Sequence, residues 1–297
     1  MSTTSRLQSG TTVVPQVHAW FQYRLMAISI ARRIAPSVDV FVSVLIIRGM
    51  RNRSAAALGN EAFVTGYALV MICGLLMLLG VRKRLVTVPL GRIAIWQRAH
   101  HYLGLLCVAA YVLHANLIVN GWLESILAMT FWAISLSGFL AWYVNKSAPR
   151  LLRAAGDRVL RQDIPERIRA IHSQAYQLAL KAAGRSDTAA LADHFGIVLN
   201  RFMSTRRGLV YRFMPSGTLR RRLTADLENL DRYLSEEGQS LRRDLSVLLQ
   251  AKDNLDFQSA IQNRVRFFAA MHAWLLGGFL VLTFAHALLA HRFASAW

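Results

Sequence analysis

The order of apolar and polar positions divides this chain into two kinds of stretch. Long uncharged runs alternate with arginine-rich segments, which is how polytopic membrane proteins read. Residues 34–50 are apolar apart from Asp39 and Arg48, and are short for a span. Residues 62–81 form a longer run closed by Arg82, Lys83 and Arg84. A connector with Pro89, Arg92 and Arg98 leads into a third run, 99–119, then the polar turn Asn120-Gly121 and a fourth run, 123–144. The last run is 267–289. Each is near the ~20 residues that cross about 30 Å of hydrocarbon.

Residues 145–266 differ in kind. Apolar positions recur there at helical spacing, as in Leu223, Leu227, Leu230 and Tyr233-Leu234. Pro165, two residues after Asp163, marks a helix start, and Ser186-Asp187 and Ser216-Gly217 mark breaks. The predicted fold class is therefore all-α, a polytopic membrane helix bundle of four or five spans with an inserted helical cytoplasmic domain. In this reading 1–33 is an N-terminal segment and 34–144 holds the first spans, with 34–50 as the optional fifth. Residues 145–266 are the insert, and 267–297 are the last span and a short tail.

Composition sharpens the picture. Hydrophobic residues make up 54% of the 297 and charged residues 17%, an apolar excess for a soluble chain. The formal net charge of +19 suggests nucleic acid at first sight. The flanking spans make the positive-inside rule the better explanation, and no nucleic-acid partner is expected. Residues 145–266 carry 22 Lys and Arg against 13 Asp and Glu. With the basic 82–98 connector, they belong in the cytoplasm. The turn at 120–124 has one acid and no base, which suits the outer face. The expected location is an integral membrane protein of the bacterial inner membrane. The two cysteines, Cys73 and Cys107, lie inside apolar runs, so no disulfide framework is expected. No Cys-x-x-Cys-His motif occurs, which excludes covalent haem attachment on this chain. Residues 1–33 lack the pattern of a cleavable signal peptide.

The candidate chemistry lies in the histidines. Ionisable groups are costly inside a bilayer, and nine histidines include five within or at the ends of two runs. His100 and His114 are 14 residues apart, and so are His272 and His286. Fourteen residues return a helical side chain to within roughly 40° of its starting direction after a rise of about 21 Å. Each helix thus presents one imidazole near either membrane face. Both runs start at the cytoplasmic side, so His100 levels with His272 and His114 with His286. Each pair can clamp a haem iron from both sides. His101 points about 100° away from His100 and is the lesser ligand candidate. His291 reads as interfacial, and His18, His172 and His194 as solvated. Gly104, four residues after His100, either admits a porphyrin or packs against a helix. Arg98, Arg264 and Arg266 are positioned to pair with haem propionates or simply to obey the positive-inside rule.

The stretch His100-His101-Tyr102-Leu103-Gly104, followed by His114, resembles the His-x-x-x-Gly…His signature of ferric-reductase-like transmembrane domains. The His-x13-His pair on two helices is similar to that of dihaem cytochrome b subunits of quinol-oxidising complexes. The resemblance covers roughly 60–145 and 267–291 and implies His100, His114, His272 and His286 as ligands of two haem b groups. Two departures stand out: no Gly-x-Gly-x-x-Gly or flavin domain follows residue 289, and the cytochrome b subunits do not usually carry a 120-residue insert. The expected function is electron transfer across the bilayer between a quinol or cytoplasmic donor and a partner on the opposite face. Membrane lipid, a redox protein and quinone are the expected partners. The chain is then an electron-transfer subunit of an oxidoreductase system rather than a stand-alone enzyme. The alternatives are a ferric-reductase-like reductase fed by a separate flavoprotein, and a non-redox membrane scaffold.

Overall fold

The computed structural model of the chain describes residues 37–54, 61–85, 90–115 and 121–294. The predicted N-terminal segment 1–33, His18, Pro89, the end of the third run and Trp297 lie outside the described residues. Among the described residues every regular element is helical, as the periodicity predicts. The chain divides into two compact units, 1–121 and 122–297.

In the first unit, residues 37–54 form α1, Glu61–Arg84 form α2 and Ile93–Ala115 form α3. The contacts Thr65–His114, Cys73–Cys107 and Leu76–His100 descend α2 while climbing α3, so the two helices pack antiparallel. Ile72, Cys107 and Ala110 fill their seam. Helix α2 ends on Arg82, Lys83 and Arg84, cations that complement the partial negative charge of a helix C-terminus. Arg82 then donates to the carbonyls of Leu85 (3.2 Å) and Gly91 (3.0 Å), and Trp96 Nε1 to that of Leu90 (2.7 Å). Gly91 takes φ = 73°, a left-handed conformation suited to glycine. These bonds start α3 at Ile93, before the predicted run at 99, so Arg98 belongs to the helix and not to the connector.

In the second unit, α4 (Trp122–Ala154) packs against α10 (Glu236–Ala294), with Phe131 on Phe279 (5.9 Å) at one level and Ala148 and Leu152 on Ile261 at another. Both helices overrun their predicted runs. Helix α4 continues past 144 through Pro149 and stops only at Gly156, whose φ of 94° terminates it. Helix α10 has 59 residues, about 88 Å at 1.5 Å per residue, with no break at the predicted junction near 266. Between them lie α5 (Ile164–Ala183, Pro165 in its first turn), α6 (Ala189–His194), a π-helical turn (Phe195–Leu199), α7 (Asn200–Ser204), α8 (Leu209–Phe213), α9 (Thr218–Asn229) and a 3₁₀ turn (Leu230–Tyr233). Their apolar faces converge with Leu245 and Leu249 of α10 on one core, which includes Leu191, Leu199, Met203, Leu223 and Leu227. The predicted leucine spacing faces that core, whereas Tyr233 is exposed. Gln258 ties the loop after α4 to α10, accepting from Val159 N (3.0 Å) and donating to Asp157 O (2.8 Å).

Among the described residues, three helices are long and apolar enough to cross a membrane: α2, α4 and α10. Helix α1 is interrupted by Asp39, Arg48, Arg51 and Arg53, and α3 by Arg98 and its three histidines. From Phe267 to His291 α10 has no Lys, Arg, Asp or Glu. Trp274, 83% exposed there, presents its ring outward, as a lipid-facing side chain does.

Candidate functional site

Hydrogen bonds hold Nδ1 of three of the four candidate ligands. His100 Nδ1 lies 3.1 Å from the carbonyl oxygen of Leu76 on α2. A carbonyl has no proton to give, so the ring nitrogen donates. His114 Nδ1 lies 2.9 Å from Thr65 Oγ1, which also lies 3.2 Å from Ala62 O. His272 Nδ1 lies 2.9 Å from Ser137 Oγ, which also lies 2.8 Å from Ile134 O.

Both hydroxyls are followed by a glycine on which the imidazole lies. A Cβ on Gly66 would sit 3.3 Å from His114 Cε1, and one on Gly138 would sit 3.2 Å from His272 Cε1. Side-chain carbons seldom approach so closely, so a larger residue would push the ring away. Hydroxyl and glycine together set how each ring is turned. Orientation of a ring by its Nδ1–H, with Nε2 as the ligand atom, is the usual arrangement of a metal-bound histidine.

Each remaining candidate has a definite place. His286, half-buried, lies 14 residues beyond His272 on α10. His101 is exposed, its ring edge toward His100 at 6.3 Å between centroids. His291 is exposed. Among the described residues nothing lies within 4 Å of where a Cβ on Gly104 would be. Arg264 donates to the Phe213 carbonyl at 3.3 Å. Two expectations need correction. His172 and His194 are not solvated: His172 Nε2 bonds Asn200 Oδ1 at 2.9 Å, and His194 Nε2 is buried without a hydrogen-bond partner. The core of the insert draws both inward, because they sit beside its apolar positions.

Sequence reading missed five contributors. Thr65 and Ser137, with Gly66 and Gly138, form a hydroxyl-glycine dipeptide in each of two apolar runs, a repeat that is visible in the sequence. Arg51 donates to Leu113 O at 2.9 Å, one residue from His114. Its placement depends on packing and left no sequence signal.

The insert has its own buried charge cluster. Lys252 is fully buried and bonds Asp256 (2.5 Å) and Thr205 O (3.0 Å). Arg207 pairs with Asp253 (2.8 Å) and Asp256 (3.2 Å) while stacking on Phe202 (4.5 Å) and Tyr211 (4.7 Å). Arg220 approaches Asp253 at 3.6 Å. Burial lowers the Lys252 ammonium and raises the Asp256 carboxyl, each from its ordinary value. Burial, and then the Asp253 carboxylate, push the Tyr211 phenol up to about 12. Paired in this way, the cluster holds the chain at 205–220 against α10.

The candidate ligands thus divide between the units, His100 and His114 on α3 and His272 and His286 on α10. Three of these rings are held through Nδ1 by a neighbouring helix, as the rings of metal-bound histidines usually are. Searches against family models, curated proteins and solved structures find no match to this chain.

Proposed function

We propose that the chain is a b-type dihaem membrane cytochrome that carries electrons across a bilayer. His100, His114, His272 and His286 are its axial ligands, paired His100 with His272 and His114 with His286. The observation that carries this reading is that His100, His114 and His272 are each held through Nδ1 by an oxygen of a neighbouring helix, on the side of the ring opposite the usual metal-binding nitrogen. Bis-imidazole haem would supply reversible one-electron storage. The chain's own work is to hold the rings. Thr65, Ser137 and the Leu76 carbonyl would hold Nδ1, and Gly66 and Gly138 would set the tilt.

On this reading α3 also crosses, its histidines directed at the cofactors. The bond from Arg51 to the C-terminal end of α3 supports α1 as a fifth crossing. That bond brings the C-terminal end of α1 to the end of α3 that holds His114. The basic insert then lies in the cytoplasm of a bacterial cell, where a redox protein or quinone exchanges electrons with the inner pair, His100 and His272.

The test is a reduced-minus-oxidised spectrum with haem quantification on the purified wild type and on His114→Ala and His272→Ala. Two haems per chain are expected, with loss at one site in each variant. Unchanged haem in both variants, or none in the wild type, would overturn the assignment.

A further inference from the structure

The short helix α8 is an apolar surface in a basic setting. Leu209, Val210 and Met214 are 70%, 79% and 76% exposed. Nothing in their own unit covers them, yet the segment is firmly moored. Arg207 anchors its start through Asp253 and Asp256, and Phe213 sets its ring edge-on against Phe267 at 5.1 Å. Phe267 is the first residue of the charge-free stretch of α10. Helix α8 is therefore held at the level where that stretch begins.

Charge points the same way. From His194 to Ala225 the chain has no Asp or Glu but has Arg201, Arg206, Arg207, Arg212, Arg220, Arg221 and Arg222. Arg207 and Arg220 are committed to the buried cluster. Arg206, Arg221 and Arg222 are exposed. Exposed apolar side chains beside arginines, level with the start of a membrane-crossing stretch, have the composition of an interfacial segment.

We propose that residues 206–222 form a foot that seats the insert on anionic lipid. Leu209, Val210 and Met214 enter the headgroup boundary, and Arg206, Arg221 and Arg222 pair with phosphate. The proposal rests on the crossing of the bilayer by α10 and is independent of haem. The ion cluster becomes the ankle of this foot, fixing its height relative to Phe267.

The test uses the full chain with Cys73→Ser and Cys107→Ser, reconstituted in phosphatidylcholine vesicles with or without phosphatidylglycerol. An environment-sensitive fluorophore is attached at Met214→Cys, Trp274→Cys or Tyr233→Cys, one at a time. Arg242 binds Asp231 near Tyr233, which places Tyr233 roughly 37 Å along α10 from Phe267. Quenching by a lipid-borne quencher is expected at Trp274 and Met214 and not at Tyr233. At Met214 it should be stronger with phosphatidylglycerol and should lose that gain in the Arg206→Glu, Arg221→Glu, Arg222→Glu variant. Quenching at Trp274 without quenching at Met214 overturns the foot while leaving the crossing intact. No quenching at Trp274 overturns the crossing itself. A Met214 probe shielded from a water-soluble quencher but beyond the reach of the lipid quencher means a protein covers α8, which overturns the lipid assignment.

Discussion

The two units treat a histidine alike and its surroundings differently. In the first, His114 of α3 rests on Thr65-Gly66 of α2. In the second, His272 of α10 rests on Ser137-Gly138 of α4. Hydroxyl, glycine and ring recur with nearly equal distances. The described residues of the first unit are otherwise helices and the turn before α3, whereas α10 runs on into a folded core with buried ion pairs. The lesson is that the ring-holding device is local. It needs two helix faces, not a common domain plan.

The severest way to break the likeness is to fill the glycines. Gly66→Val and Gly138→Val each push a side chain into the ring, and each is expected to abolish haem at its own site while the other site stays loaded. Haem stoichiometry and the remaining spectrum of each purified variant decide this. Loss of both haems from one variant would mean that the units do not act separately.

The second contrast is the ion cluster, which has no counterpart among the described residues of the first unit. Asp256→Ala leaves Lys252 buried without its carboxylate and should cost about 3–5 kcal/mol. The solubilised protein should melt at a lower temperature by circular dichroism. Lys252→Met combined with Asp256→Leu should recover much of that loss, because matched apolar side chains replace a buried pair well.

Removing only the hydroxyls is gentler. Thr65→Val and Ser137→Ala keep the ligand and the space but remove the hydrogen-bond partner of Nδ1, so haem retention should weaken by roughly 10–100-fold. Transfer to an excess of a haem scavenger measures it. Equal retention in wild type and variants would show that the hydroxyls merely pack.

The smallest effect is on titration. Burial pushes the Tyr211 phenol up to about 12 in the folded chain, above the ordinary tyrosine value of about 10. Its folded form therefore holds a proton that the unfolded form gives up. The stability this contributes is fully present below pH 10.0 and is lost as pH rises toward about 12. Phenolate difference absorbance, wild type minus Tyr211→Phe, should show one late-titrating group. A midpoint at the ordinary tyrosine value would refute the burial.

Much of this was legible in the sequence, for physical reasons. Helical periodicity and Pro165 foretold helices through 145–266, because apolar spacing and a helix-starting proline are local signals. The 14-residue histidine spacing is equally local, and His100, His114 and His272 from it are rings that a neighbouring helix holds through Nδ1. The end of α4 and the course of α10 were not legible. Hydropathy changes at 144 and 266, but the backbone has no reason to break there, and α4 continues to the left-handed Gly156. The partners of Lys252 were also hidden. Asp256 lies one turn away and is visible, whereas Thr205, whose carbonyl accepts from Lys252, is brought in by the fold from 47 residues earlier.

The unbroken course of α10 has a consequence for how this gene can be cut and spliced. Lys252 and His272 lie on one rod, so their angular phase is fixed by the residues counted between them. Each residue added or deleted there turns one end by about 100° against the other. A single inserted alanine near 265 would take His272 off Ser137 or tear Lys252 from its cluster. Shortening by seven residues shifts the phase by only about 20°. Any deletion between Lys252 and His272 must therefore be made in heptad steps, or the histidine will face the wrong way.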